Sequence, residues 1–353
     1  MTSPVYSWFY EEPFHTAFLA TTTTLSVLSN TLLLYIIYST NSAAIGPYRY
    51  LLAVFALCDI MTTAGHAAFQ PSMHMTSSGF YFFPRHGKMM IGRQPMDTIF
   101  ALVFIAMYYQ TFLVLAYHYV YRYKTVTSGI IRSFTDYWSQ QQWILLGVVV
   151  YVLYIAGFVG TCAIAFTPAP ETRALVPQEI FDIYGIDLRD PARGFTVIAV
   201  RRPDAHGVMQ WHAPSVVGLL MLLGMFGGTA TVILYCIWRI NSIISSSDNH
   251  LTPKTRKMQM DLFKALLIQT AVPVLFSYLP LATCLVFPAI TGISLGAFGN
   301  VLFTTTSIFP SIDAFFVLYF IVRFRAAVVK LFRLPFTVHT GSLVEHPTDS
   351  RAR

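Results

Sequence analysis

The sequence predicts an all-α membrane protein: a bundle of seven transmembrane helices, N-terminus outside, with a short amphipathic helix after the seventh. Three observations carry this reading. Of 353 residues, 55% are hydrophobic and only 11% are charged, where a soluble domain carries roughly 25% charged residues. The apolar residues fall in seven blocks, each about the 20 residues that a bilayer crossing needs. Lys and Arg are unevenly shared between the two sides. With the N-terminus outside, the inner segments hold 15 of them and the outer segments 8, as expected when basic residues stay on the cytoplasmic face.

The blocks run over residues 15–38, 48–70, 95–120, 143–166, 213–240, 262–287 and 297–322. The N-terminal stretch has no basic n-region and carries Glu11 and Glu12, so the first block reads as an uncleaved anchor rather than a signal peptide. Residues 1–322 then form one membrane domain, and 323–353 a cytoplasmic helix and tail. The longest loop, 167–212, has five prolines. Its strand-like GFTVIAV (194–200) and turn cluster RPDAHG (202–207) before VMQW predict a short β-hairpin lid over the outer mouth. The inner loop 241–257 is polar and Ser-rich and ends in Lys254, Arg256 and Lys257, so it is expected to be mobile. Beyond the seventh block, Arg323, Arg325, Lys330 and Arg333 are spaced among apolar residues, the pattern of an interfacial helix. Pro273 and Pro280 in the sixth block and Pro310 in the seventh remove backbone donors and predict bent helices. Gly224 and Gly228 form a G-x-x-x-G face that permits close helix contact.

The chemistry of the chain excludes several classes. The net charge of +7 sits beside apolar blocks, where it marks topology and anionic headgroups rather than nucleic acid. Cys58, Cys162, Cys236 and Cys284 all lie inside apolar blocks, as small packing residues rather than metal ligands or outer disulfides. Neither a metal nor a cofactor is expected. GISLG (292–296) matches the nucleophile motif of serine hydrolases, but it precedes a membrane helix and has no strand before it. An enzyme is not expected.

Two groups of residues remain as candidates. Asn30, Asp59 and Asp313 lie roughly 12–17 Å from the cytoplasmic ends of their helices, at about 1.5 Å per residue. Carboxylates inside a bilayer normally face a polar interior, so these three read as an inner polar cluster, either static or functional. In the outer halves, Phe100, Phe104, Tyr108 and Thr111 recur at helical spacing on the third block. Tyr278 on the sixth and Asn300, Phe303 and Thr304 on the seventh share their depth. Mostly apolar groups with a few polar anchors suit a small organic ligand, or ordinary interhelical packing.

Four stretches, IGPYRYLL (45–52), HYVYRY (118–123), LFKALLIQTAVPVLFSYLP (262–280) and IFPSIDAFFVLYFIVRFR (308–325), resemble the Str-class serpentine chemoreceptors of nematodes. The resemblance covers residues from about Ile45 to Arg325. It implies a G-protein-coupled, olfactory-type receptor in the plasma membrane of a sensory cilium. Its partners would be a small-molecule odorant or other chemical cue, a heterotrimeric G protein and the lipid bilayer. Tyr121, Arg122 and Tyr123 would sit where helix three meets the cytoplasm, and with Lys254, Arg256 and Lys257 would form the G-protein-coupling surface. The family usually reads Asp-Pro in helix seven, whereas here Ala314 follows Asp313. The alternative from the residues alone is a transporter or channel with Asp59 and Asp313 as an ion or proton relay.

Overall fold

The computed structural model describes residues 11, 13–40, 46–84, 94–127, 139–204, 206–245 and 252–332, apart from the side chains of residues 94–96, 140, 254 and 289. Seven of its helices are long and apolar enough to cross a membrane. Spans one to four are Phe14–Ser39, Tyr48–Phe69, Gln94–Thr127 and Gln140–Phe166. Span five is Ala213–Ser245. Span six is Pro253–Pro273, a π-turn over Val274–Tyr278, and Leu279–Thr291. Span seven is Phe298–Thr304, a 3₁₀ turn over Thr305–Ser307, and Phe309–Phe320. Spans three and seven are the most buried and span four the least. Span three is therefore the central post, and Tyr109, Leu115 and Tyr119 along it are fully enclosed.

The prolines decide where spans six and seven break. Pro280 has no N–H for the carbonyl of Phe276, one turn earlier. That oxygen instead accepts a hydrogen bond from Thr305 Oγ1 at 3.0 Å. The π-turn lies between Pro273 and Pro280, the usual setting for such a bulge. In span seven the 3₁₀ turn comes just before Pro310, whose own carbonyl accepts from Asn30 Nδ2 at 2.9 Å. Ala314 is fully buried among Leu33, Leu52 and Val317. Helix seven thus breaks at Thr305–Ser307, ahead of Asp313, although the expected proline after Asp313 is absent.

The outer face carries more β-structure than the sequence reading foresaw. β1 (Pro71–Thr76) and β2 (Gly79–Pro84), both in the first outer loop, form an antiparallel hairpin. β3 (Thr196–Ala199), within GFTVIAV, pairs with β2 to complete a three-stranded sheet. The hairpin read in the long loop is present, as β4 (Arg201–Pro203) against β5 (Met209–Trp211). GFTVIAV itself belongs to the larger sheet instead, because β2 offers it a free edge.

Alternation along the sheet gives it two apolar faces. Tyr81, Phe83 and Val197 point into an upper core completed by Val176, Ile180, Leu188 and Phe195. Met73, Phe80, Phe82 and Ile198 point down into the bundle core. The short helices Pro170–Ala174 and Gln178–Tyr184 form part of the cover above.

Two expectations are corrected, those for the inner loop and for the G-x-x-x-G face, while the amphipathic helix is present. Residues 241–245 continue span five, and Pro253 to Lys257 open span six, so the ends of the inner loop are helical; residues 246–251 lie outside the described residues. The amphipathic helix runs over Val322–Phe332, while Arg333 lies outside the described residues. Gly224 and Gly228 face away from the bundle, and a Cβ on either would meet nothing within 4 Å. Gly218 is the glycine that lets spans four and five approach, since a Cβ there would lie 2.4 Å from that of Ala165.

Gly79 bears on the lid most directly. Its φ is +153°, and an added Cβ would fall 1.7 Å from the backbone oxygen of Ile198. Gly79→Ala is expected to pry β2 from β3 and lower thermal stability in detergent, with a loss of about 1–3 kcal/mol or more. Gly224→Ala is expected to leave the melting temperature unchanged. Equal melting temperatures for the two variants would mean that the β2–β3 seam does not hold the lid.

Candidate functional site

A cavity of about 80 Å³ lies between the lid and the outer halves of the spans. Span three contributes Phe104, Ile105 and Tyr108, span four Phe158, Cys162 and Phe166, and span five Leu222 and Phe226. Leu281 and Leu285 come from span six and Phe303 from span seven, while Met73, Phe80, Phe82, Thr196 and Ile198 form the lid side. The wall is aromatic and aliphatic almost throughout. Phe82, Phe104 and Phe303 touch one another with ring centroids 5.3–6.2 Å apart.

Of the eight expected ligand residues, Phe104, Tyr108 and Phe303 line this cavity. Thr111 and Tyr278 lie deeper, with their hydroxyls 3.2 Å apart and the Tyr278 ring packed on Phe112. Tyr108 hydrogen-bonds Ser277 in the π-turn. Phe100 packs half-buried against the core, and Thr304 is buried, its carbonyl accepting from Ser307 Oγ.

Asn300 fastens the lid. Its Oδ1 accepts from the Met73 N–H at 2.8 Å, and its Nδ2 donates to the Tyr184 hydroxyl at 2.7 Å. Ser294 of GISLG does similar work, donating to the Met75 carbonyl at 2.8 Å. The lid residues escaped the sequence reading because strand pairing joins two loops over 100 residues apart. The local signal was present in PSMHMT-SS-GFYFFP, two β-prone runs around a turn.

His74 sits on the upper face of the sheet, fully buried, with neither ring nitrogen hydrogen-bonded. Tyr184 meets its ring edge-on at 5.9 Å, and the Glu179 carboxylate is 3.7 Å away. Two effects compete here: the carboxylate would hold a protonated ring, while burial opposes one. Glu179 is 56% exposed, so water screens its charge and burial prevails, pushing His74 down to about 4.

On the inner side, Asn30 ties spans one and seven through Pro310, and its amide also donates to the Ser26 carbonyl at 3.0 Å. Asp313 accepts from Gln269 Nε2 at 3.0 Å. Asp59 has both carboxyl oxygens buried without a hydrogen-bond partner. Among the described residues no three His, Cys, Asp or Glu side chains group as a metal site.

Arg122 is not presented at the surface. It is 4% exposed, with its guanidinium 4.0 Å over the Tyr48 ring and Nη1 donating to Gln259 Oε1 of span six at 3.2 Å. Tyr121 stacks on Tyr48, and Tyr123 packs on Tyr235 of span five. Span three continues to Thr127, which places this triplet inside the helix rather than at its end. Arg256 and Lys257 are exposed on the first turns of span six, and the side chain of Lys254 lies outside the described residues.

The family model for serpentine seven-transmembrane G-protein-coupled chemoreceptors of the Str type matches residues 15–329. The chain belongs to the Str chemoreceptor family. It is therefore a multi-pass membrane protein of a G-protein-coupled receptor family, and not an enzyme. Among curated relatives, a Caenorhabditis elegans protein described as G-protein coupled receptor str-33 is 21% identical over 327 residues, 91% of this chain and 90% of that protein. A Caenorhabditis briggsae serpentine receptor class r-10 is 23% identical over 295 residues, 82% of each. The crystal structure of squid rhodopsin shares the fold with a TM-score of 0.53 and 9% identity, covering 90% of this chain and 84% of that one.

The burial of His74 gives the lid a pH dependence with a definite sign. With its pKa depressed to about 4 in the closed lid and near 6.5 once exposed, the ring takes up a proton only when the lid opens. Closure is then unaffected above about pH 6.5 and weakens as pH falls toward 4, by up to about 3 kcal/mol at 1.4 kcal/mol per pH unit. Amide exchange in β1 and β2 is expected to accelerate over that window, and His74→Gln to flatten the acceleration. The same acid response in His74→Gln would assign it to another group.

Proposed function

We propose that this chain is a chemosensory, olfactory-type receptor. It admits a small, uncharged, largely apolar compound to the cavity beneath the lid and activates a heterotrimeric G protein on the inner side. The observation that supports this best is the cavity itself: small, walled by rings from several spans, and almost without polar surface. A charged ligand would find no partner there to offset its desolvation, whereas an odorant-sized apolar molecule would find rings on several sides. The family membership supports a sensory setting, and the ciliary membrane is the corresponding location.

Signal transfer would run through span six. Tyr108 and Tyr278 adjoin both the cavity wall and the π-turn, and below the turn span six carries Gln259, the partner of Arg122. A compound that binds better when span six has moved raises the share of that arrangement. The Arg122–Gln259 hydrogen bond would then part and open the inner ends of spans three and six, with Tyr121, Tyr123, Lys254, Arg256 and Lys257 at the G-protein surface.

A screen of odorants with a calcium reporter supplies the active compound for two tests. Phe303→Ala is expected to raise its half-maximal concentration at least tenfold with surface expression intact, because a lost buried aromatic commonly costs a few kcal/mol. Arg122→Ala is expected to abolish nucleotide exchange on the G protein while binding persists. An unchanged dose response in Phe303→Ala, and likewise in Tyr108→Ala and Tyr278→Ala, would move the ligand site elsewhere. A second reading, an ion or proton relay, draws on the unpaired buried oxygens of Asp59 and Asp313. Compound-independent ion flux in liposomes that Asp59→Asn stops would favour it.

A further inference from the structure

The cavity is closed toward the outer water. Pro71 through Met75 and all of β2 and β3 are buried, the three strands are paired in one antiparallel sheet, and Asn300 and Ser294 tie the sheet to the top of the bundle. Of the residues that line the cavity, all are buried except Ile105, Phe226 and Leu281. The last two stand on either side of the seam between spans five and six.

The neighbouring seams are fastened by contrast. Spans four and five meet at Gly218 and Ala165 and are bonded through the Tyr154 hydroxyl to Thr229 at 2.6 Å. Spans six and seven are joined by Thr305 and the Phe276 carbonyl. The inner ends of spans five and six share a hydrogen bond from Arg256 to the Ser245 carbonyl at 3.1 Å. Their outer halves have no such bond among the described residues, only a ring contact between Phe226 and Tyr278 at 6.4 Å.

We infer that the ligand reaches the cavity from the bilayer, sideways between the outer halves of spans five and six, rather than from the outer water through the lid. Phe226 and Leu281 form the mouth of that route. An uncharged apolar compound concentrates in the lipid before it binds. Entry through the seam requires only that apolar side chains swing aside, whereas entry through the lid breaks a hydrogen-bonded sheet whose freed backbone groups have no water below them. The inference rests on the proposed cavity ligand and adds its route.

The test uses 3-trifluoromethyl-3-phenyldiazirine, a small uncharged aromatic that partitions into bilayers and inserts covalently when photolysed. Purified receptor in liposomes is mixed with the probe and flashed at increasing delays. Mass spectrometry then reads labelling at Met73 and Phe82, which face the cavity and not the lipid. Leu281→Trp is expected to slow the approach of labelling to its own final extent at least tenfold, with Phe226→Trp as a second variant should the first fold poorly. Asn300→Ala, which loosens the lid, is expected to leave the rate unchanged. A rate that Asn300→Ala accelerates and both tryptophan variants leave alone would overturn lateral entry in favour of the lid. No label at Met73 or Phe82 in the parent protein would instead overturn the cavity reading on which this inference depends.

Discussion

Every backbone polar group inside a bilayer must find a partner within the protein, because no water is there to supply one. In this receptor Pro280 breaks that rule in span six, and a side chain of span seven repairs it. Thr305 takes the carbonyl left free by Pro280, and Asn30 donates to the carbonyl of Pro310 itself, tying span one to span seven beside that break. An unsatisfied buried acceptor costs about 1–3 kcal/mol, so these bonds fix where the helices may deviate and how spans one, six and seven sit together. The π-turn that results brings Ser277 to Tyr108 and Tyr278 to Thr111. The cavity wall and the π-turn of span six are thus one construction.

The lid follows from a second constraint. A sheet buried on both faces needs apolar side chains on both, and β2 supplies them with Phe80 and Phe82 downward and Tyr81 and Phe83 upward. The same strand therefore roofs the cavity and anchors the outer cap. His74 in β1 is the exception, a titratable ring buried in the upper apolar layer beside the Glu179 carboxylate. Among the described cysteines none is paired. Strand pairing and the Asn300 and Ser294 ties hold the outer loops where a disulfide could have done so.

The seven spans were legible because a run of about 20 mainly apolar residues with very few charges has the length and character of a bilayer crossing and suits little else. The breaks in spans six and seven were legible from Pro273, Pro280 and Pro310. The aromatic stripe on span three led to Phe104 and Tyr108, and Phe303 shared their depth. Helical periodicity gives depth and face, but not which span turns toward which. Phe158, Leu222 and Leu285 were hidden for that reason, and Gly224 and Gly228 were assigned a packing role that Gly218 holds. Met73, Phe80 and Phe82 depend on pairing between distant loops. Arg122 lies inside its helix rather than at the cytoplasmic end where the resemblance put it, and its partners Tyr48 and Gln259 come from two other spans that no spacing reveals.

The central claim is that occupancy of the outer cavity is coupled through the broken span six to the inner ends of spans three and six. The most direct measurement is the distance between spin labels at Lys124→Cys and Lys257→Cys in the full receptor, with and without a compound that stimulates nucleotide exchange. The coupling requires the distribution to gain a population several ångströms longer on addition of the compound, and Phe303→Ala to suppress that gain at the same concentration. A compound that stimulates exchange while the distribution stays fixed would contradict it.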